Sequence, residues 1–223
     1  MNMTVNVEDM VIGILGGTGD QGRGLARRFA LAGQRVIIGS RSEDRARAAA
    51  SELDVAPHEV DGMTNSDTAR NAEIVIAAIP WEGHGDLLSS LAAELAGKIV
   101  VDCVNPLGFD ARGAYALPVA EGSAAQQAAG LLQDSRVVAA FHHVSAKLLL
   151  DPEVVAVDLD VLVLGDDREA TDLVQALAAR IPGMRGVYAG RLRNAGQVEA
   201  LTANLVSVNR RYKAHVGLRV TDI

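Results

Sequence analysis

The chain has 223 residues, of which 49% are hydrophobic and 22% are charged, which is typical of a globular protein with a sizeable core. Its formal net charge of −7 argues against nucleic acid as a partner, and no apolar run is long enough to span a bilayer. The single cysteine, Cys103, allows no internal disulfide, which fits a cytoplasmic location. Residues 1–10 carry acids but no basic run, so they predict a short frayed leader without a secretory signal.

The first predicted elements are a strand over residues 11–15, a glycine-rich turn and a helix over 24–32. The turn contains the spacing G-x-G-x-x-G at Gly17, Gly19 and Gly22. In such a turn the second glycine lets a pyrophosphate approach the backbone, and the third lets the helix pack closely on the sheet. Phosphate also suits the free N–H groups at a helix N-terminus. The contacts we expect there come from Gly17, Thr18, Gly19, Asp20, Gln21 and Gly22.

The second predicted strand, residues 35–38, ends in Gly-Ser-Arg rather than in an acid. An Asp or Glu at this place usually holds the ribose 2′-OH of NAD. Here Ser40 and Arg41 occupy the position, and Arg45 lies one helical turn further on. Because guanidinium groups match phosphate oxygens, the sequence predicts NADP(H) rather than NAD(H). The alternative is that both arginines only solvate the start of a surface helix.

Strand-like and helix-like segments then alternate, which predicts an α/β fold: a doubly wound, mostly parallel Rossmann sheet with a C-terminal helical elaboration. Further strands are predicted at 59–63, 73–79, 98–103, 136–141, 160–165 and 185–189, and helices at 42–53, 65–71, 87–95, 123–132, 169–181 and 194–215. Residues 107–122 lack periodicity and predict a long functional loop. A weak boundary separates an NADP-binding core, 1–150, from a small lobe, 151–223, and we expect the two to form one domain.

Two of these strands end in residues that favour a ligand site, because doubly wound sheets bind ligands at the carboxyl ends of their strands. After residues 73–79, Pro80 is expected to stiffen a wall beside a nicotinamide, together with Ile79. Trp81, the only tryptophan, is expected either to pack a ring or to cover the core. After residues 136–141 come His142 and His143, of which one could contact a second cofactor. No acid or cysteine spacing supports a metal site there.

With these residues in view, the chain resembles the NADPH-dependent reductases of coenzyme F420, a deazaflavin hydride carrier. The resemblance spans residues 11–220 and rests on four stretches: 14–19 with Gly22, the Gly-Ser-Arg of 39–41, the Ile-Pro-Trp-Glu of 79–82, and 199–202 with 209–213. It implies that Thr18, Asp20, Gln21, Ser40, Arg41 and Arg45 contact NADP(H), and that His142, Val144 and Ser145 contact the deazaflavin. Asp20 stands where the family often has asparagine, and Ser145 where some members have proline.

The resemblance implies hydride transfer between NADP(H) and coenzyme F420, with no protein nucleophile, because the cofactors carry the chemistry. Only small-molecule cofactors are expected as partners, apart from a second copy of the chain in a homodimer. One alternative is an NADPH-dependent reductase of a small carbonyl or imine, although such relatives usually carry a larger helical domain for which 223 residues leave little room. The other is a non-enzymatic NADP(H)-sensing protein.

Overall fold

The structure is a computed structural model that describes residues 6–223. The strands are β1 (Val11–Leu15), β2 (Arg35–Ser40), β3 (Val60–Thr64), β4 (Ile74–Ala77), β5 (Ile99–Asp102), β6 (Leu107–Asp110), β7 (Gly113–Ala116), β8 (Arg136–Ala139), β9 (Leu159–Gly165) and β10 (Met184–Gly190). The helices are α1 (Asp20–Leu31), α2 (Glu43–Ser51), α3 (Asn65–Asn71), α4 (His84–Ser90), α5 (Ala92–Leu95), α6 (Ala124–Leu131), α7 (Ala146–Leu150), α8 (Arg168–Ala178) and α9 (Ala195–Tyr212). Short 3-10 turns cover Trp81–Gly83 and Leu192–Asn194.

Eight strands form one sheet in the order β10-β9-β8-β5-β4-β1-β2-β3. Neighbouring strands are parallel except β8 and β9, which pair antiparallel. The predicted doubly wound, mostly parallel sheet is therefore confirmed. The chain builds outward from β1 to β3 and then returns to place β4 on the other side of β1. The gap beyond the carboxyl ends of β1 and β4 is the topological switch point at which such sheets bind ligands.

Helices cover both faces of this sheet and bury a core on each of them. Every residue of β1, β4 and β5 is buried, as expected for central parallel strands. On one face Phe29 of α1 packs edge-on against Phe141, with their ring centroids 6.0 Å apart. On the other face Leu88 and Leu95 fill the core below α4 and α5. No helix within residues 6–223 is both long and apolar enough to cross a membrane.

The prediction of a long loop over residues 107–122 is wrong, because the segment contains the antiparallel hairpin of β6 and β7. The Asp110 carboxylate closes the turn by accepting hydrogen bonds from the N–H groups of Arg112, at 2.7 Å, and Gly113, at 3.1 Å. Gly113 has a φ of 128°, which favours glycine there. The hairpin strands are poorly buried, with Phe109 70% exposed, so they lack the apolar alternation of a core strand.

Several predicted helix boundaries also differ from the structure. Helix α1 begins at Asp20, so it follows the glycine turn without the gap expected before residue 24. The helix predicted over 87–95 is two helices, α4 and α5, separated at Leu91. The last helix ends at Tyr212 rather than at residue 215, because Lys213 takes a left-handed φ of 52°. Helix α7 was not predicted.

The described part of the N-terminal leader contacts the rest of the protein. Residues 1–5 lie outside the described residues. Val7 is buried, and its carbonyl accepts a hydrogen bond of 2.7 Å from the Gln34 side chain, so the expectation of a frayed leader is wrong at this position.

The sheet continues across the predicted boundary between residues 150 and 151. Strands β9 and β10 extend it past residue 150, and one buried cluster includes Leu149 and Val157. The division at 150/151 stays a prediction.

The C-terminal tail is held by one buried carboxylate, Asp160 of β9. It accepts hydrogen bonds from Arg185, at 2.7 and 2.9 Å, from Arg219 at 2.7 Å and from the N–H group of Val220 at 2.7 Å. The hydrogen bond with Arg185 is the largest cause that lowers the pKa of Asp160. Because the lowered pKa belongs to the folded state, the stabilisation is present above the unfolded pKa and is lost as the pH falls through the folded value.

We predict that Asp160→Asn lowers the free energy of unfolding by about 1–3 kcal/mol at neutral pH, since charge-assisted hydrogen bonds are lost around a buried group. Urea unfolding measures this loss. The matched control is Asp158→Asn, which removes an exposed ion pair with the same Arg219 and should change stability by less than about 1 kcal/mol. Equal effects of the two substitutions would contradict the role given to Asp160.

Candidate active site

A cleft of about 610 Å³ opens beside the carboxyl ends of β1, β2 and β4. Its walls come from the glycine turn, the end of β2, the start of α3 and the segment after β4. The residues that line it are Gly16, Thr18, Gly19, Asp20, Gln21, Ser40, Arg41, Arg45, Asn65, Ala78, Ile79, Pro80, Glu82, Gly83 and Leu87. The switch point of the sheet therefore carries a concave site of the size that small ligands use.

The glycine turn is folded tightly against the sheet. The N–H group of Gly17 donates a 2.9 Å hydrogen bond to the carbonyl of Gly39 in β2. A Cβ on Gly22 would lie 2.6 Å from the Cα of Gly17, so no side chain fits between α1 and the turn. A Cβ on Gly19 would meet nothing closer than the Gly16 carbonyl oxygen at 3.7 Å. Gly22 thus serves packing, whereas Gly19 leaves open space on the cleft side.

The end of β2 gives the cleft a positively charged rim. Ser40 is buried, and Arg41 and Arg45 are exposed. Within residues 6–223, neither of these arginines forms an ion pair with a carboxylate. By contrast Arg47, which lies on α2 with Arg45, pairs with Glu43 at 2.5 Å. Two guanidinium groups are therefore available to an anion at this rim.

The opposite wall follows β4. Ile79 and Pro80 line the cleft, as do Glu82 and Gly83 of the 3-10 turn. Trp81 is half-buried and does not line the cleft; its ring centroid lies 5.5 Å from that of His84. Of the two readings given to Trp81 from the sequence, its position favours packing within the protein.

Asn65, the first residue of α3, also lines the cleft and is not among the site residues predicted above. The N-cap of α3 is Thr64, whose hydroxyl accepts a 3.1 Å hydrogen bond from the N–H group of Asp67. The side-chain oxygen of Asn65 accepts a hydrogen bond from the N–H group of Gly16 at 3.3 Å and so connects α3 to the glycine turn. Because Ser40 pairs with Thr64 in the β2–β3 register, the residue after Thr64 lies at the edge that carries Arg41; the sequence predicts the strand but not this register.

The residues predicted to contact a second cofactor lie after β8 and outside the lining of this cleft. His142 and Val144 are buried and Ser145 is half-buried. Phe141, just before them, has a left-handed φ of 64°, an uncommon conformation for a bulky side chain, and its carbonyl lies 3.5 Å from the Gln21 amide. The segment is thus connected to the glycine turn.

His142 and His143 are uncharged imidazoles. Burial lowers the pKa of each to about 4. Neither ring has a hydrogen-bond partner among the described residues. The carbonyl of His142 accepts a 2.8 Å hydrogen bond from the Asn105 amide and a 3.4 Å bond from the Thr202 hydroxyl, which joins β5, β8 and α9 at the carboxyl edge. No group of three metal-ligating side chains occurs within residues 6–223.

Comparison with known proteins agrees with the resemblance. The family model described as NADP oxidoreductase, coenzyme F420-dependent, matches residues 11–106. The F420-dependent NADP reductase of Methanothermobacter thermautotrophicus is 39% identical over an alignment that covers 98% of both chains. The chain belongs to the F420-dependent NADP reductase family.

Other members of the family support this assignment. The F420-dependent NADP reductase of Methanocaldococcus jannaschii is 38% identical, over 96% of this chain and 99% of its own. A crystal structure from Arthrobacter sp. FB24, provisionally assigned as an F420-dependent NADP reductase, superposes with a TM-score of 0.81 at 28% identity and covers 96% of this chain and 100% of that one. The similarity thus includes the C-terminal residues beyond the family model.

The stretch 199–202, which carries part of the family resemblance, contributes a buried carboxylate. Glu199 of α9 accepts hydrogen bonds from the N–H groups of Ala124, at 2.9 Å, and Ala125, at 3.2 Å, at the start of α6. Burial raises the pKa of Glu199 to about 7, with a further contribution from the negative charge of Asp102. Glu199 thus joins two helices while carrying a proton more readily than an exposed carboxyl.

We predict that Glu199 makes stability fall as the pH rises. Its folded-state pKa lies above the ordinary value, so its contribution is complete below about 4.5 and is lost as the pH rises through about 7. Glu199→Gln should remove about 2 kcal/mol of this pH dependence in urea unfolding between pH 5 and 8. Glu153→Gln, at an exposed position, is the control and should leave the dependence of the free energy of unfolding on pH unchanged. If Glu199→Gln kept the same pH dependence as the wild type, the prediction would be contradicted.

Proposed function

We propose that the chain is an enzyme that transfers hydride between NADP(H) and coenzyme F420. The observation that carries the proposal is the charged rim of the cleft, where Arg41 and Arg45 have no carboxylate partner in the described residues and β2 ends in Ser40, with Arg41 next, rather than in an acid. A dianionic 2′-phosphate suits this rim, whereas an acid at this place would repel it. The same cleft leads across the glycine turn to the wall after β4, as one extended dinucleotide would require.

The cleft offers groups that fit each part of NADP(H). Ser40, Arg41 and Arg45 would hold the 2′-phosphate. The backbone from Gly17 to Gly22, with Thr18, Gln21 and the N-terminus of α1, would hold the pyrophosphate, for which Gly19 leaves space. Asp20 is a poor neighbour for a pyrophosphate, but as the first residue of α1 its carboxylate stabilises the helix dipole.

The nicotinamide end would lie beside Ile79 and Pro80, and the deazaflavin beside the segment with His142, Val144 and Ser145. Each uncharged imidazole can donate one hydrogen bond and accept one, so His142 could meet a carbonyl or an N–H group of the deazaflavin ring. When bound, the two cofactors would supply the chemistry: a hydride would pass between nicotinamide C4 and deazaflavin C5, and the proton that completes deazaflavin reduction would come from solvent. The protein orients the two rings and excludes water from between them.

We further propose that the chain acts in the cytoplasm as a homodimer, with residues 1–150 and 151–223 in one domain. The free and buried Cys103 supports the cytoplasmic location.

An incompletely buried apolar stripe on α9, formed by Leu201, Leu205 and Val208, supports the homodimer. Tyr212, at the end of the same helix, is 73% exposed. Sedimentation of the purified chain at micromolar concentration tests the dimer.

The decisive assay mixes the protein with NADPH and oxidised F420 and follows the loss of deazaflavin absorbance. We expect rapid bleaching with NADPH and much slower bleaching with NADH. Parallel reactions with a small carbonyl and a cyclic imine should leave NADPH unconsumed. Reduction of the imine without bleaching of F420 would favour the carbonyl or imine reductase, and NADPH binding without any turnover would favour a sensing protein.

A further inference from the structure

A buried ion pair lies directly behind the wall that faces the proposed nicotinamide position. His84, the first residue of α4, is fully buried, and its Nε2 lies 2.6 Å from the Asp102 carboxylate at the end of β5. Its Nδ1 lies 2.9 Å from the side-chain oxygen of Gln127 on α6. Both ring nitrogens therefore have a partner, and the three residues come from three different elements of the fold.

The hydrogen bonds fix the charge of His84. The nitrogen of the Gln127 amide donates a 3.2 Å hydrogen bond to the Glu121 carboxylate, which can only accept. The oxygen of Gln127 is therefore the atom that faces His84. With an amide oxygen at one ring nitrogen and an ionised carboxylate at the other, both nitrogens act as donors, and the geometry points to an imidazolium at His84.

The charges around His84 agree with this assignment. Burial opposes the charged ring, but the hydrogen bond and the negative charge of Asp102 outweigh it, with help from Gln127 and Glu199, so the pKa of His84 is raised. The second oxygen of Asp102 accepts a 3.0 Å hydrogen bond from the N–H group of Val104, which fixes the carboxylate. The indole of Trp81, tilted by 35° and with its centroid 5.5 Å away, adds an aromatic neighbour for the cation.

The position of His84 in the chain connects this pair to the cleft. Glu82 and Gly83, immediately before it, and Leu87, one turn after it, all line the cleft. An anchor at His84 therefore fixes the backbone of this wall on both sides. At the adenosine end of the cleft, Arg41 follows β2 and Arg45 lies on α2, and neither is a hydrogen-bond partner of His84.

We propose that His84 is a positioning residue: as a buried imidazolium clamped between Asp102 and Gln127, it holds the wall after β4 in place for the nicotinamide half of the dinucleotide. The inference rests on the proposed function for the identity of the ligand. His84 does not itself contact the reacting atoms. Its effect is on how closely the nicotinamide is held, to which hydride transfer is sensitive.

The test compares two ligands that share the adenosine end. NADP⁺ occupies the whole cleft, whereas 2′,5′-ADP lacks the nicotinamide half. In Asp102→Asn, which keeps the side-chain shape but removes the negative charge, we expect the Kd of NADP⁺ to rise about tenfold and kcat to fall about tenfold. The Kd of 2′,5′-ADP should stay within about twofold of the wild type, because the charged rim is unchanged. The control is Asp86→Asn, an exposed substitution on α4, which should leave the Kd of both ligands unchanged.

Two further measurements keep the test decisive if Asp102→Asn folds poorly. Nitrogen-15 NMR of the wild-type imidazole at pH 7 should show His84 doubly protonated. His84→Gln, which can keep a donor to Asp102 but loses the contact with Gln127, should raise the Kd of NADP⁺ about threefold and leave that of 2′,5′-ADP unchanged.

A neutral His84 at pH 7 would overturn the inference, as would equal changes in the affinities for both ligands or no change in either. The two affinities and the NMR measurement need no F420. A wild type that binds NADP⁺ but fails to reduce F420 would therefore refute the proposed function without touching the role of His84.

Discussion

Replacing Ser40 and Arg41 together with alanine should abolish the preference of the protein for NADPH over NADH. The double substitution removes a hydroxyl and one of the two guanidinium groups at the charged rim, and both stand where an acid would otherwise select NAD. Charge-assisted hydrogen bonds to a phosphate contribute roughly 1.5–3 kcal/mol each, so the Kd of NADPH should rise about a hundredfold. The Kd of NADH, which has no 2′-phosphate, should change by less than about threefold. Isothermal titration calorimetry measures both affinities.

The control for this prediction is Arg47→Ala on α2, the helix that begins two residues after Arg41. Arg47 is exposed like Arg41, but it forms an ion pair with Glu43 and does not line the cleft. Its removal should leave both affinities within about twofold, because exposed ion pairs contribute little. A double variant that still preferred NADPH would show that the rim at β2 does not select the cofactor.

The second large effect separates two glycines of the same turn. In Gly22→Ala the new methyl group would stand 2.6 Å from the Cα of Gly17, and backbone cannot move away as a side chain could. We expect a loss of about 1–3 kcal/mol in the free energy of unfolding, together with weaker NADPH binding. In Gly19→Ala the methyl group contacts only the Gly16 carbonyl oxygen, at an ordinary distance of 3.7 Å, so stability should fall by less than about 1 kcal/mol.

The affinity of Gly19→Ala for NADPH should nevertheless fall at least about tenfold, because the methyl group would occupy the space left for the pyrophosphate. Urea unfolding and calorimetric titration of the two variants give the comparison. A stable Gly19→Ala protein that bound NADPH as well as the wild type would place the pyrophosphate elsewhere. A Gly22→Ala protein of unchanged stability would contradict the tight packing between α1 and the turn.

The sheet and the charged rim were predictable because their signals are local. Central parallel strands such as β1 and β4 are continuous apolar runs, and the glycine spacing lies between one of these runs and a helix. Gly39-Ser40-Arg41 stands at the end of a predicted strand, so the parallel topology alone predicts its position at the carboxyl edge of the sheet. Thr18, Gly19, Asp20, Gln21, Ile79 and Pro80 line the cleft for the same reason. Their contacts with NADP(H) stay predictions.

The remaining features depend on contacts that no local pattern reveals. The hairpin of β6 and β7 is mostly exposed, so the only sequence signal for it was the turn from Asp110 to Gly113. His84 and Asp102 are 18 residues apart, and Gln127 is 43 residues from His84; they meet only because the starts of α4 and α6 lie beside the carboxyl end of β5. In the segment after β4 the sequence pointed to Trp81 as a candidate site residue. Glu82, Gly83 and Leu87 line the cleft there, and Trp81 does not.

The most direct test of the proposed function follows the transferred atom itself. NADPH carrying deuterium at nicotinamide C4, prepared separately on each face, is incubated with the protein and oxidised F420, and the reduced deazaflavin is analysed by mass spectrometry and NMR. We predict that one of the two labelled forms delivers its deuterium to C5 of the deazaflavin, whereas the other leaves its deuterium on NADP⁺. Reduced F420 without deuterium from either form, or no reduced F420 at all, would contradict direct hydride transfer in this cleft.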